Sequence, residues 1–468
     1  MSNSPLYDLS TEHAAACLRE AWDDLLQRLS ETRNAIDEPA LYAPPSTPRT
    51  LAEGYRYILG YLYGSIARGL GPNVENPYFV RAIQPLNRTT IDNADAIYLT
   101  APIDGNFTYT IIGRARDTSA WRGEQCAPGQ RKAPHYVIFE TPSGFSGDSG
   151  SIKELKPGTR ANCDVLDSSK LKVDDNGRFE ILLAPEKPEG YTGNFMRTRK
   201  TRQRTLEDGS EVERTFVAQQ VMLRELFCDW ENEDLLDLFI YRNDRLGKPI
   251  RPYDVEQADA QIRKIGELTR NQVHFWNEFY AVVCEAYGKL QGEGESFMPT
   301  NNFNVPNAAS LATAGGMATN IYCGGMFDLG EDDALILTLN QPIEPQYIGF
   351  HLGNLWGESL EFASHQSSLN GLQAHRDADN VYRYVVAHQD PGIANWVDTT
   401  GQPQGYMSVR WAYSIRPSEN LPWATATLVK FDELEKYLPA DTKRITNEQR
   451  LQQIAIRQEH VQRRYRHH

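Results

Sequence analysis

A chain of 468 residues that is 40% hydrophobic and 10% aromatic has material for more than one core, which excludes the disordered class. Its formal net charge of −14 sets the surface against nucleic acid and anionic membrane. No apolar run approaches the ~20 residues of a membrane helix, and the N-terminus shows no secretory pattern. Six scattered cysteines without a C-x-x-C point to a reducing, cytoplasmic setting.

Residues 1–75 read as helical. Apolar residues recur at helical spacing from Leu18 to Leu29. After the Pro-rich linker EPALYAPPSTP, Thr50-Leu51-Ala52-Glu53 is expected to open a second helix as a capping box. Its stripe includes Leu51, Tyr55, Ile58, Leu62 and Ile66.

Residues 76–250 form a β-rich block. AIYLTAPIDG, FTYTIIGRA, HYVIFET, RFEILLAPE, FVAQQVMLRELF and DLFIYR alternate like strands, with turns at Asp104-Gly105, Asn176-Gly177 and Asp208-Gly209. RTRKTRQR, from Arg197 to Arg204, carries five cations in eight residues. It reads as one arm of a solvated hairpin, with a subunit or anionic-ligand contact as the next reading.

Residues 251–325 contain a long helix from Asp254 to Tyr287, capped by Asp254-x-x-Gln257. Ile262, Ile265, Leu268, Trp276, Phe279 and Val283 form its stripe. The Gly-rich stretch ATAGGMATNIYCGGMFD is expected to be a loop; it lacks the strand–turn–helix context of a phosphate site. Residues 326–420 form a second β-rich block: ALILTLNQP, QYIGFHLG, SLEFAS, VYRYVVAHQ and GYMSVRWAYS. In the tail, 421–468, Thr446-x-x-Gln449 caps a last helix with Leu451, Ile454, Val461 and Tyr465 as its apolar stripe.

From about Gly325 to Trp411 the chain carries S-L-N, D-A-D-x-x-x-R, D-P-G, N-W-x-D-T and R-W in that order, within YIGFHLGNLWGESLEF, HQSSLNGLQAHRDADNVYRYVVAHQDPGIANWVD and GYMSVRW. This order resembles the bacterial family known as domain of unknown function 1214. NPYFVRAIQPLNRTTIDNADAIYLTAPIDG is similar to the region that precedes this domain in longer members. The resemblance implies a jelly-roll-like C-terminal sandwich preceded by a β-domain and helices, but no general activity. A catalytic role for His388 would be particular to this branch.

Candidate chemistry gathers in the second β-block. His388 and Asp390 lie two apart at a strand end, where a carboxylate could set the imidazole tautomer and make a base; Asp390-Pro391-Gly392 is equally a good turn. Asn395 and Trp396, beside Asp398, suit a pocket mouth or plug the sandwich end. Along another strand and its end, Trp356 and Glu358 share a face that His351 does not share with Asn354. Arg410, in a half-buried strand, needs an anion from the protein or from a ligand. The candidate substrate-binding set is therefore His351, Trp356, Asn395, Trp396 and Arg410. The four histidines of the block show no H-x-H or H-x-x-x-H spacing, so no metal site and no cofactor are expected. G-D-S-G within GFSGDSGS is too short a match to carry a serine nucleophile.

The expected fold is mainly β with added helices: two β-sandwich-like domains, the C-terminal one jelly-roll-like, linked by a long helix. The expected function is a cytoplasmic enzyme acting by acid/base chemistry, without redox cofactor, on a small, largely apolar oxygenated molecule (lyase, isomerase or hydrolase). The alternatives are a carbohydrate- or ligand-binding sandwich and a structural or assembly protein. A small-molecule ligand and a homo-oligomer are the expected partners, with no nucleic acid and no membrane.

Overall fold

The computed structural model describes residues 10–37, 44–156, 158–205, 211–284, 298–306 and 320–465. The expected turn at Asp208-Gly209, the Gly315-Gly316 pair, the side chain of Val283 and the helix end beyond Cys284 lie outside them. The chain is mainly β, with two sandwiches and a long helix between them. The first sandwich is built from β1 (Val80–Ile83), β2 (Ala96–Pro102), β3 (Tyr109–Arg114), β4 (Tyr136–Pro142), β5 (Asn162–Asp167), β6 (Arg178–Ala184), β7 (Asn194–Arg197), β10 (Gln220–Leu226) and β11 (Asp237–Arg242). Its sheets run β1-β2-β10-β4-β5 and β11-β3-β6-β7. Ile111, Val137, Phe139, Ile181, Leu183 and Val221 fill the space between them. Strands β8 (Arg199–Thr205) and β9 (Glu211–Val217) pair as a separate two-stranded arm carrying the basic run.

The second sandwich holds β12 (Asn320–Asp328), β13 (Asp333–Asn340), β14 (Tyr347–Gly353), β15 (Ser368–Asn370), β16 (Tyr382–Ala387), β17 (Trp396–Asp398), β18 (Gln404–Ala412) and β19 (Trp423–Lys430). The sheets are β12-β18-β14-β15 and β17-β16-β13-β19, and the chain passes repeatedly between them, as a jelly-roll-like wrap requires. The sandwich thus extends past residues 326–420 at both ends. Half of the expected Gly-rich loop is strand β12. A side chain at Gly325 would collide with the Asn302 carbonyl, so this glycine marks a close backbone approach rather than a bend.

Strand periodicity creates a third packed layer. Ile348, Phe350 and Leu352 of β14 and Met407, Val409 and Trp411 of β18 face the second core. Tyr347, His351, Tyr406, Arg410 and Ala412 therefore point the other way. There Tyr347 and Ala412 meet Tyr136, Ile138 and Leu226 of the first sandwich. The two sandwiches are stacked across this seam.

Helices close its two ends. Helices α1 (Thr11–Asp37), α2 (Pro48–Leu70) and α3 (Val255–Cys284) cover one, through Ile36, Tyr57, Tyr61, Trp276, Tyr280 and Trp356. α2 starts earlier than expected. Pro48 occupies its first turn, and Thr47 and Thr50 form the capping box at 3.1 and 2.9 Å. Asp254 caps α3 by accepting from the Gln257 amide at 2.9 Å.

α4 (Asn447–Arg464) closes the other end, with the expected Thr446/Gln449 box. Its docked face is only in part the expected apolar stripe: Val461 packs against the Phe227, Trp230 and Phe362 cluster, but Leu451 is 70% exposed, and Arg450, Arg457, His460, Arg463 and Arg464 are buried. The arginines donate to main-chain oxygens: Arg450 to Ile393 (2.6 Å), Arg457 to Phe362 (2.8 Å), Arg463 to Trp230 (2.6 Å) and Arg464 to Ala94 (2.8 Å). The Arg464 guanidinium also lies against Trp230, Phe362 and Phe227.

Candidate functional site

The residues singled out in the sequence separate into two places. His388, Asp390, Asn395 and Trp396 form a corner of the second sandwich. His351, Trp356 and Arg410 lie at the seam.

At the corner, the expected pairing of His388 with Asp390 does not form. His388 Nδ1 lies 2.7 Å from Thr399 Oγ1. Asp390 turns away: one oxygen accepts from the Gly392 amide at 2.8 Å and the other from Arg450 Nε at 2.9 Å. The cause is the Asp-Pro-Gly turn, in which Gly392 has φ +71° and the aspartate caps its own loop. Asn395 accepts from the His375 amide (2.8 Å) and donates to the carbonyls of His375 (2.7 Å) and Arg383 (2.8 Å). Trp396 is buried; its Nε1 donates to Ala387 O at 3.0 Å and Arg450 covers its ring. It plugs the sandwich end. Asp398 binds His365 (2.7 Å) and the Thr400 amide (2.7 Å).

At the seam, β14 ends at Gly353, so Asn354 to Glu358 is a turn and not a continuing strand. Asn354 Oδ1 accepts from the amides of Trp356 (3.0 Å) and Glu358 (3.1 Å). Trp356 is a seat for α2 rather than an open platform: its Nε1 donates to Thr50 O at 2.8 Å, and its ring lies against Gly54 and Tyr57.

Arg410 Nη1 sits 3.0 and 3.1 Å from the two ring nitrogens of His351, and Nη2 donates to Ile91 O. A guanidinium only donates, so the imidazole must offer a lone pair. Burial, and then the Arg410 charge, hold His351 well below the usual histidine range.

Two carboxyls complete the cluster. Asp92 accepts from the amide (2.8 Å) and hydroxyl (2.7 Å) of Ser359, while Glu358 accepts from Asn354 Nδ2 at 2.9 Å. Burial raises both above the ordinary carboxylate range. Arg88 donates through Nη1 to Ser359 O at 2.8 Å, but its Nε is buried without a partner, as is the Tyr406 hydroxyl. The connecting loop is strained: Thr90 and Ile91, both β-branched, have φ of +64° and +54°.

The seam thus brings together a neutral imidazole, two carboxyls disposed toward protonation, a guanidinium and a free hydroxyl. Such a set can move a proton and hold a developing oxyanion. Asp92, Arg88 and Tyr406 were not singled out in the sequence; the one signal was the polar density of NRTTIDNADA between two strands. Among the described residues, no group of three or more His, Cys, Asp or Glu is arranged to hold a metal ion. A broad cleft of about 890 Å³ opens at one end of the first sandwich, lined by Arg114, Arg116, Arg122, Arg131 and acidic residues. A second, of about 150 Å³, lies between Arg68, Phe145 and Gln220. Neither is lined by the corner or seam residues.

No family model matches the chain, and no curated protein does. Among solved structures, the chain is similar to an uncharacterized protein from Burkholderia cenocepacia, with TM-score 0.70 and 22% identity over 90% of this chain and 100% of that one. The VPA0106 protein from Vibrio parahaemolyticus aligns over 80% of this chain and 98% of its own, at TM-score 0.41 and 12% identity. The first likeness shows a shared fold.

Proposed function

We propose that the chain is an enzyme acting by proton transfer on a small, largely apolar oxygenated molecule, and that its chemistry lies in the seam rather than at the 388–398 corner. The supporting observation is the strained Thr90-Ile91 pair: two left-handed β-branched residues in succession present the Ile91 carbonyl to Arg410, inside a buried cluster of titratable groups. Strain of that kind costs on the order of 1–3 kcal/mol per residue and persists where a site demands the geometry. In this reading Arg410 turns from His351 to hold the oxyanion, which frees the imidazole lone pair to act as the base, and Asp92 or Glu358 is the acid. The reaction is a lyase, isomerase or hydrolase step without a redox cofactor, in a cytoplasmic protein. A second reading, ligand binding without catalysis, is favoured by the cleft of about 890 Å³, whose four arginines and four carboxylates suit a small polar ligand.

The test is a ligand-observed NMR screen with small ketones, esters and carboxylic acids against five proteins: wild type, Arg410→Met, His351→Gln, His388→Ala and Arg116→Ala. Hits lost in the first two variants, with affinity down at least 100-fold, and kept in His388→Ala support the seam. Hits lost in His388→Ala alone return the site to the corner. Hits that survive all three but disappear in Arg116→Ala favour the cleft.

A further inference from the structure

Helix α2 is apolar on both sides. Its inner face, with Tyr57, Ile58 and Tyr61, packs into the helical core. At 100° per residue its outer face gathers Tyr55, Leu59, Leu62, Tyr63, Ile66 and Leu70 into one band without a charged residue. Leu59 is 62% exposed, and Leu86, beside Gly60 of the helix, is 65% exposed. An apolar helix face of this width is ordinarily packed against something.

We propose that this band is the two-fold interface of a homodimer, with α2 packed antiparallel on the α2 of a second copy. The residue pattern is its own complement. Leu51 and Leu70, Tyr55 and Ile66, and Leu59 and Leu62 lie at equal distances on either side of a point between Gly60 and Tyr61. A two-fold axis there brings each residue onto its counterpart, as an isologous contact requires.

The area is also sufficient. Leu51, Tyr55, Leu59, Tyr63, Ile66, Leu70 and Leu86, each about half exposed, leave roughly 700 Å² in water, against ~800 Å² per partner in a standard interface. That exceeds the patch a monomer ordinarily leaves bare. An anionic lipid surface fits less well, because the cations of α2 are engaged by the protein body. Arg49 binds the carbonyls of Gly401 (2.9 Å) and Thr400 (3.0 Å), and Arg68 binds Asp148 (2.7 Å). Arg56 lies 3.9 Å from Glu358. Arg56 is about half exposed, and a single cation is a weak anchor to phosphate headgroups.

Sedimentation velocity of the full chain at micromolar concentration should give twice the 53.0 kDa chain mass. Leu59→Glu, at an exposed position, should weaken association at least 100-fold, with circular dichroism and melting temperature unchanged. As a second measurement, Leu59→Cys should cross-link to its copy with a short bis-maleimide, whereas Leu428→Cys on β19 should not. A monomeric wild type, or a dimer that survives Leu59→Glu and does not cross-link at residue 59, overturns the proposal. Wild-type monomer that co-sediments with phosphatidylglycerol vesicles assigns the band to a lipid surface instead.

Discussion

The corner at 388–398 and the seam at 351–410 are equally rich in polar residues, and they use them differently. At the corner, Asp390, Asn395, Trp396 and Asp398 all engage main-chain or side-chain partners at ordinary distances. At the seam, Tyr406 Oη and Arg88 Nε are buried without partners, two carboxyls are pushed up, a histidine is pushed down, and two residues are strained. Satisfied networks rigidify a fold, whereas buried groups left short of partners mark a site that serves something besides stability. A conspicuous loop motif is thus a weaker pointer to chemistry than an incompletely satisfied interior.

The contrast can be broken by measurement. The largest effect is expected from Trp396→Ala, which removes a buried ring and its bond to Ala387 O; urea denaturation should show a loss of about 3–5 kcal/mol. A loss near zero would mean that the ring does not plug the sandwich end. Asn395→Ala should cost about 2–3 kcal/mol, because it abandons the backbone groups of His375 and Arg383.

The seam should respond to pH instead. His351 has a folded pKa below its ordinary 6.5, so its contribution to stability is complete above that pH and is lost as the pH falls further. His351→Gln should remove an acid-side slope of about 1.4 kcal/mol per pH unit, read from melts between pH 7 and pH 5. An unchanged slope would mean that the imidazole is not held neutral by its surroundings. The smallest effect is expected at His388→Ala, about 1 kcal/mol or less, since the half-buried ring loses mainly its contact with Thr399. A loss of 3 kcal/mol there would make His388 part of the corner's framework.

Local signals were legible in the sequence. Thr446/Gln449 and Asp254/Gln257 cap helices where their spacing says, and the two β-rich blocks became two sandwiches. Errors arose where two local readings competed. Thr47 and Thr50 can both head a capping box, and Pro48 decides between them. Gly324 and Gly325 resemble loop residues, yet the reason for glycine at 325 is the close approach of the Asn302 main chain. The seam was half legible: the alternation of β14 and β18 implied that His351 and Arg410 leave the core, but not what they meet. Asp92 reaches Ser359 across 267 positions, a pairing that only the stacking of two sandwiches creates.

The arginine face of α4 has a consequence for how this architecture tolerates change. Its attachments to Ile393, Phe362, Trp230 and Ala94 are all to carbonyl oxygens, which every amino acid supplies. Substitutions on the receiving surface leave those acceptors in place. The main-chain part of the docking is therefore indifferent to the receiving side chains, whereas the bonds to Asp390 and Ser368 Oγ and the rings of Trp230 and Phe362 depend on them. Arg457 donates through its guanidinium to Phe362 O, Ser368 O and Ser368 Oγ at once, a fork that a lysine does not reproduce. Along this contact the main-chain acceptors tolerate drift in the residues that carry them, while the helix must keep its arginines.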